Sequence, residues 1–306
     1  MSERLVRLSE EVAEALAAGR PVVALESSVL AQGLPEEVGP GAWRRSEEAV
    51  RGAGAIPATT AVLDGRLCAG ITAEEVLRLA DRRRGVAKAA RRDLGLLAAR
   101  GADGGTTVSA LLAIARLAGV RVAATGGIGG VHRDFAQAQD ESADLRALAE
   151  LPVALVCAGA KSILDLPATL ERLESLSVPV VGFGTGVFPA FYTLPQDPRG
   201  LELEYRFDDP GTLARALAAH LSLGPGGALV VVPPPERPGF GPAQAEAAVA
   251  AALEAARERG VRGKAVTPFL LGEVARREGG ALEVNLALLE RNAGRAGEVA
   301  AAWPRG

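Results

Sequence analysis

PVVALESSV, residues 21–29, decides the fold: an apolar run with the β-branched density of a buried strand leads straight into an acid and two hydroxyls. Without polar alternation the run predicts a strand covered on both faces, with Glu26 at or just past its end. Helical patterns at 8–19 and 36–53 flank it. Similar short apolar segments follow at 56–63, 66–69, 121–124, 153–157, 179–183 and 228–232, separated by helical patterns at 73–82, 91–100, 107–118, 142–150, 165–176 and 210–221. Strands alternating with helices imply an α/β fold, a largely parallel sheet flanked by helices on both faces. Residues 242–259, 267–277 and 281–302 read as a helical C-terminal region. PPPERPGFGP at 233–242 is the clearest break, but the stretch beyond it is expected to pack back on the sheet, so residues 1–306 read as one domain. No internal repeat is evident.

The chain has 306 residues, 48% of them hydrophobic, and a formal charge of -3. That balance argues against a general electrostatic grip on nucleic acid or an acidic membrane, so any anion needs a local site. The opening MSERLVRLSEEVAEALAAGR mixes charges with a helical apolar stripe and lacks the uninterrupted apolar segment of a signal peptide. Other apolar runs end well short of the roughly 20 residues that cross a bilayer. A soluble, cytoplasmic protein is expected, with neither nucleic acid nor membrane as a partner. Cys68 and Cys157 are far apart in sequence and imply neither a zinc cluster nor a disulfide scaffold.

Of 34 basic residues only Lys88, Lys161 and Lys264 are lysine. An exposed cationic position tolerates arginine, whereas a position needing a deprotonatable amine does not, so the lysines are enriched in candidates for chemistry. Lys161 follows the strand-like VALVCAGA and precedes the helical SILDLPATL. A lone ammonium at such a strand end is partly desolvated, which disfavours its charged form and frees the amine as a nucleophile towards carbonyl carbon. Lys88 stands beside Arg91 and Arg92, where anion binding and catalysis are both open readings, and Lys264 reads as a surface loop residue. Glu26 is either a proton-transfer group at the ligand edge or a hydrogen-bonded structural carboxylate. His132 lies within reach of a bound substrate; His220 ends an amphipathic helix, whose C-terminus accounts for it.

Two glycine clusters stand out, GADGGTTVSALLAIA at 101–115 and ATGGIGGVHRD at 124–134. In the first, Gly104 and Gly105 allow close backbone approach, and Thr106 and Thr107 supply hydroxyls at a helix start, as an anion pocket requires. The second follows a strand and emerges at the carboxyl edge of the sheet. Neither matches a dinucleotide fingerprint or a P-loop, so NAD and ATP are not indicated. Tight turns and close helix packing explain the same glycines equally well. In QDESADL at 139–145, Asp140 and Asp144 would share a helix face; they could hold a hard cation through oxygen and water, or be an N-cap and a solvated acid.

Taken together, ALESSV, PATTAVLDGRLCAG, KAARRDL, GGTTV, ATGGIGGVHR, SADL, VCAGAKSILD, PVVGFGT, FPAFY, RGKAVTPFLL and NLALLERNA resemble the pseudouridine-5'-phosphate glycosidase family, also called indigoidine-synthase-A-like. The blocks run in the expected order over roughly residues 20 to 300. The resemblance implies reversible conversion of pseudouridine 5'-phosphate and water into uracil and ribose 5-phosphate, breaking a C–C glycosidic bond. A C-nucleoside has no nitrogen leaving group to protonate. Once the sugar opens and an amine joins its C1', the iminium serves as electron sink. By resemblance Lys161 is the Schiff-base nucleophile, and Glu26 moves protons at the sugar ring and the base carbon. Lys88, Val108, Ser142, Ala143 and Asp144 contact the nucleotide, Asp144 with a second role in proton transfer, and Thr125, His132 and Asn285 line the site. Asp140 binds a divalent cation, manganese (Mn2+), largely through water, and the assembly is a homotrimer.

The chain departs from the family pattern in two places. Gln139 and Glu141 flank Asp140 where FDISADL-like sequences carry apolar residues, and Arg291 and Asn292 stand where paired asparagines are expected. Two other functions use the same residues: an aldolase-like lyase on another sugar phosphate, and a non-catalytic nucleotide-binding accessory protein.

Overall fold

Among the residues described by the computed structural model (5–235, 241–261, 266–277 and 281–304), the strands are β1 Val6–Leu8, β2 Val22–Leu25, β3 Ile56–Leu63, β4 Arg66–Ala69, β5 Ala87–Ala89, β6 Gly104–Thr106, β7 Val122–Ala124, β8 Val131–His132, β9 Ala154–Cys157, β10 Leu164–Asp165, β11 Val180–Phe183, β12 Tyr205–Phe207 and β13 Ala228–Val231. The helices are α1 Glu10–Ala17, α2 Gly39–Gly52, α3 Ala73–Ala80, α4 Leu94–Arg100, α5 Val108–Ala118, α6 Phe135–Ala138, α7 Ala143–Glu150, α8 Leu166–Ser175, α9 Pro210–Leu223, α10 Pro242–Glu258, α11 Val266–Arg277 and α12 Ala281–Ala301. Lys264 and residues 236–240 of the proline-rich break lie outside the described residues.

The sheet runs β1-β4-β3-β2-β7-β9-β13-β11-β12, and every pairing from β3 to β12 is parallel. At the other edge β4 and β6 pair antiparallel with β3, and β5 joins β6. β2, β9 and β13 are buried along their whole length, as unalternated apolar runs require. Successive side chains go to opposite faces. Ala24, Leu155 and Cys157 join the core built with α5 and α7, whereas Val23, Ala154 and Val156 meet Val50 of α2, Leu213 of α9 and Ala293, Ala296 and Val299 of α12. The later part of α12 therefore packs against the face opposite α5, while Val249 of α10, Leu270 of α11 and Leu288 of α12 join the same core cluster as α5.

Local chemistry explains where elements stop. The helical pattern at 8–19 starts slightly late: Leu8 belongs to β1, which pairs with β4, and α1 begins after Ser9, whose hydroxyl accepts Val12 N at 3.3 Å. The strand at 21–29 ends at Leu25 because Ser27 is drawn inward: its Oγ donates to Thr60 O at 2.6 Å and accepts Thr106 N at 3.0 Å. The chain then makes a π-helical turn over Val29–Gly33.

That network corrects the reading of the first glycine cluster. Gly104–Thr106 is strand β6, and Thr106 is fully buried against Ser27 and Thr60. A Cβ on Gly105 would lie 2.8 Å from Ala31 Cβ and 3.1 Å from Ser27 O, so this glycine serves close packing of the π-helical turn. Only the end of the cluster, Thr107 to Ser109 at the start of α5, reaches a cavity.

Both cysteines are free and buried, and burial pushes the Cys157 thiol up to about 12. Thiolate is the reactive form, so iodoacetamide at pH 8 is expected to leave both cysteines unmodified in the folded protein and to alkylate both in urea. Peptide mass spectrometry reads the outcome; modification of Cys157 before unfolding contradicts the burial.

Candidate active site

β2, β7 and β9 are neighbours in register, with Leu25 opposite Ala124 and Ala124 opposite Val156. From β2 the chain proceeds to β3 on one side of the sheet, and from β7 to β9 on the other, so a crevice opens between β2 and β7 where strand order reverses. Glu26 and Thr125 stand one residue past these two strands, and Lys161 follows β9. Lys161 N donates to Ile128 O at 3.1 Å, and the Ile128–Ala160 bridge ties the two loops together.

A cavity of about 370 Å³ lies over these strand ends, lined by Glu26, Lys88, Val108, His132, Asp140, Ser142, Ala143, Asp144, Lys161 and Asn285 among others. Thr125 sits below it, 2% exposed, and its hydroxyl donates to Glu26 Oε1. Ser28 Oγ donates to Glu26 Oε2 at 2.8 Å. Two hydroxyls thus fix the carboxylate orientation, and Lys161 is half-buried in the same cavity.

Asp144 acts as a brace in this geometry. It is 6% exposed; Oδ1 accepts Ser109 N and Oδ2 accepts Gly129 N, each at 3.0 Å. It thereby joins the start of α5 to the second glycine loop. Gly129 is required there, since a Cβ would lie 2.3 Å from Ser142 Oγ, the N-cap of α7. Asp144→Ala strips the buried Ser109 N–H and the partly buried Gly129 N–H of their acceptor and is expected to cost about 2–4 kcal/mol, with Asp144→Asn milder. Urea unfolding measures both, and wild-type stability of the alanine variant contradicts the bracing role.

The two asparagines differ in placement. Asn285 reaches the cavity wall, whereas Asn292 is fully buried and its Nδ2 donates to Thr125 O at 2.8 Å and Gly126 O at 3.0 Å, holding the loop that carries Thr125.

Lys88, Arg92, Thr107, Val108 and Ser109 form one corner of the cavity, where cationic side chains meet the N-terminus of α5. This is chemistry suited to phosphate. Arg91 is turned away, paired with Glu150.

At another wall His132 Nε2 is 3.9 Å from Asp140 Oδ2, and the Asp140 side chain is 40% exposed. Glu141 is held by Arg172 through contacts of 2.9 and 3.0 Å, which offsets the extra charge that sequence places beside Asp140. Among the described residues no group of three or more His, Cys, Asp or Glu could hold a metal ion. One partly exposed carboxylate fits a hard cation that keeps most of its water and does not fit a zinc-type cage.

Sequence reasoning left out Ser28 as a donor to Glu26, and also Gln32 and Phe191, which line the cavity. Phe191, at φ 65, closes on Gly127, where a Cβ would be 2.5 Å from its ring. Gln32 Oε1 is buried without a hydrogen-bond partner among the described residues. FPAFY marks the first in sequence; nothing local marks Gln32.

Fold and site define an α/β protein with an amine and a carboxylate facing one crevice that has a cationic corner. The model of the family described as indigoidine synthase A like protein matches residues 11–302, and the chain belongs to that family. Proteins named pseudouridine-5'-phosphate glycosidase are similar over full length: that of Myxococcus xanthus is 52% identical, covering 98% of this chain and 99% of its own, and that of Gemmatimonas aurantiaca 53%, covering 100% and 99%. Among solved structures, the prealnumycin C-glycosynthase AlnA in complex with ribulose 5-phosphate superposes with TM-score 0.88 at 41% identity, covering 98% of this chain and 97% of that one. An indigoidine synthase A-like protein of Thermotoga maritima gives 0.85 at 34%, covering 96% and 95%. No helix among the described residues is long and apolar enough to cross a membrane.

Proposed function

We propose that this chain is a pseudouridine-5'-phosphate glycosidase, working as a single-domain, cytoplasmic homotrimer with a manganese ion at Asp140. The observation that carries the reading is the meeting of Lys161 and Glu26 in one cavity with a cationic corner, in a chain about half identical to relatives bearing that name. In this reading the phosphate sits against Lys88 and the start of α5, and the sugar C1' faces Lys161. The amine of Lys161 bonds to C1' while the ring oxygen leaves with a proton from Glu26. The base carbon then takes a proton, the C–C bond breaks, and the nitrogen lone pair leaves C1' as an iminium on Lys161. Water adds to that carbon, releasing ribose 5-phosphate and the free amine. A hydrated divalent cation at Asp140 would supply positive charge near the phosphorylated substrate. His132 and Asn285 bind and orient the nucleotide, and Asp144 keeps the loops around it in place.

The relative that is a C-glycosynthase makes the C–C bond, and the steps above are reversible. Incubation of purified protein with uracil, ribose 5-phosphate and Mn2+ is therefore expected to yield pseudouridine 5'-phosphate, detected by mass spectrometry and resistant to acid cleavage. Formation of no C-nucleotide, together with no cleavage of pseudouridine 5'-phosphate, contradicts the reading.

A further inference from the structure

Glu26 lines two cavities. Beneath the substrate cavity lies a second, of about 30 Å³, whose polar lining is Glu26, Thr125, Ser46, Thr59 and Trp43. That volume holds one water molecule, and the wall offers the two to four polar partners a buried water needs. On its far side Thr59 Oγ1 donates to Glu47 Oε1 at 2.8 Å, and Trp43 Nε1 donates to both, at 2.9 Å to Glu47 and 3.0 Å to Thr59. Glu47 has no part in the site described above, yet its side chain is only 14% exposed.

We infer that Glu26 exchanges its proton through a water in this rear cavity with Thr59 and Glu47, a relay that leads behind the sheet to the outer face of α2. The step balances. A protonated Glu26 gives its proton to the water, the water passes one to Thr59 Oγ1, and Thr59 passes its own to Glu47; the reverse sequence reloads Glu26. One carboxyl gains what the other loses, and no further reactant is needed. Burial pushes the Glu47 carboxyl up, against the opposing hydrogen bonds from Thr59 and Trp43. The charged groups near it are Arg51 on the same helix, 3.9 Å away, and Glu11 of α1, itself paired with Arg51. Glu47 reaches solvent through its own partly exposed carboxylate beside that pair. The route matters because bound nucleotide fills the front cavity and cuts Glu26 off from bulk water.

The relay rests on the glycosidase reading for its kinetics and on geometry alone for its existence, so two arms test it. A crystal structure of the whole protein at a resolution that shows waters is expected to place one within hydrogen-bond reach of both Glu26 and Thr59; a dry rear cavity overturns the proposal whatever the substrate. With pseudouridine 5'-phosphate, Glu47→Gln and Thr59→Val are expected to lower kcat about tenfold and leave KM within about twofold, with a larger solvent deuterium isotope effect on kcat. Thr59→Ser keeps the hydroxyl and should match the parent, separating loss of relay from loss of packing. Variants with the parent's kcat and isotope effect overturn the relay. A parent inactive on this substrate counts against the glycosidase reading, and the water then decides the relay.

Discussion

Lys161→Arg is expected to fold normally and bind phosphorylated ligand, yet to lose turnover by on the order of 10⁴-fold or more, the scale seen when a covalent nucleophile is removed. Arginine keeps the positive charge and most of the length of the side chain. A guanidinium is not deprotonated in proteins, so it cannot attack C1'. Lysine is so scarce in this chain that charge alone does not account for its presence at the end of β9. Product formation measured alongside ribose 5-phosphate binding separates the two roles. If the arginine variant turned over within tenfold of the parent, Lys161 would be an electrostatic contact and the covalent route would fail.

Glu26→Gln is the second large effect. Thr125 and Ser28 both donate to the carboxylate, and both hydroxyls can rotate to accept from an amide, so the fold tolerates the change. The amide does not carry a proton to the sugar ring oxygen or the base carbon, and kcat is expected to fall by about 10² to 10⁴-fold with KM little changed. Steady-state kinetics with pseudouridine 5'-phosphate gives both numbers. A variant with raised KM and the parent's kcat would recast Glu26 as a binding group.

The fold was legible wherever apolar residues run without alternation. β3 and β4 occupy the residues the pattern predicted, and the ends of β2, β7 and β9 fall within a few residues of expectation, which suffices to bring Glu26, Thr125 and Lys161 to one edge. Sequence reasoning missed the elements whose cause is not local. β1, β5, β6, β8, β10 and β12 are two or three residues each and exist through their partners. Gly104–Thr106 reads as a phosphate loop by composition, but it is a strand because Thr106 completes a buried hydroxyl cluster with Ser27 and Thr60, residues far away in sequence. Asp144 and Asn292 present the same difficulty within the site. Each is a polar residue on an amphipathic helix, and only the three-dimensional structure shows their acceptors and donors tied to the loops at Gly129 and Thr125. The Arg172 partner of Glu141 was equally hidden, since the two lie 31 residues apart on different elements.

The central claim is that the amine of Lys161 bonds covalently to the sugar, and reductive trapping tests it most directly. Protein incubated with ribose 5-phosphate and sodium borohydride should gain one reduced pentose phosphate per chain, and digestion should locate it on the peptide carrying Lys161. An adduct on Lys88 or Lys264 instead, or none while the protein still turns over pseudouridine 5'-phosphate, contradicts the account.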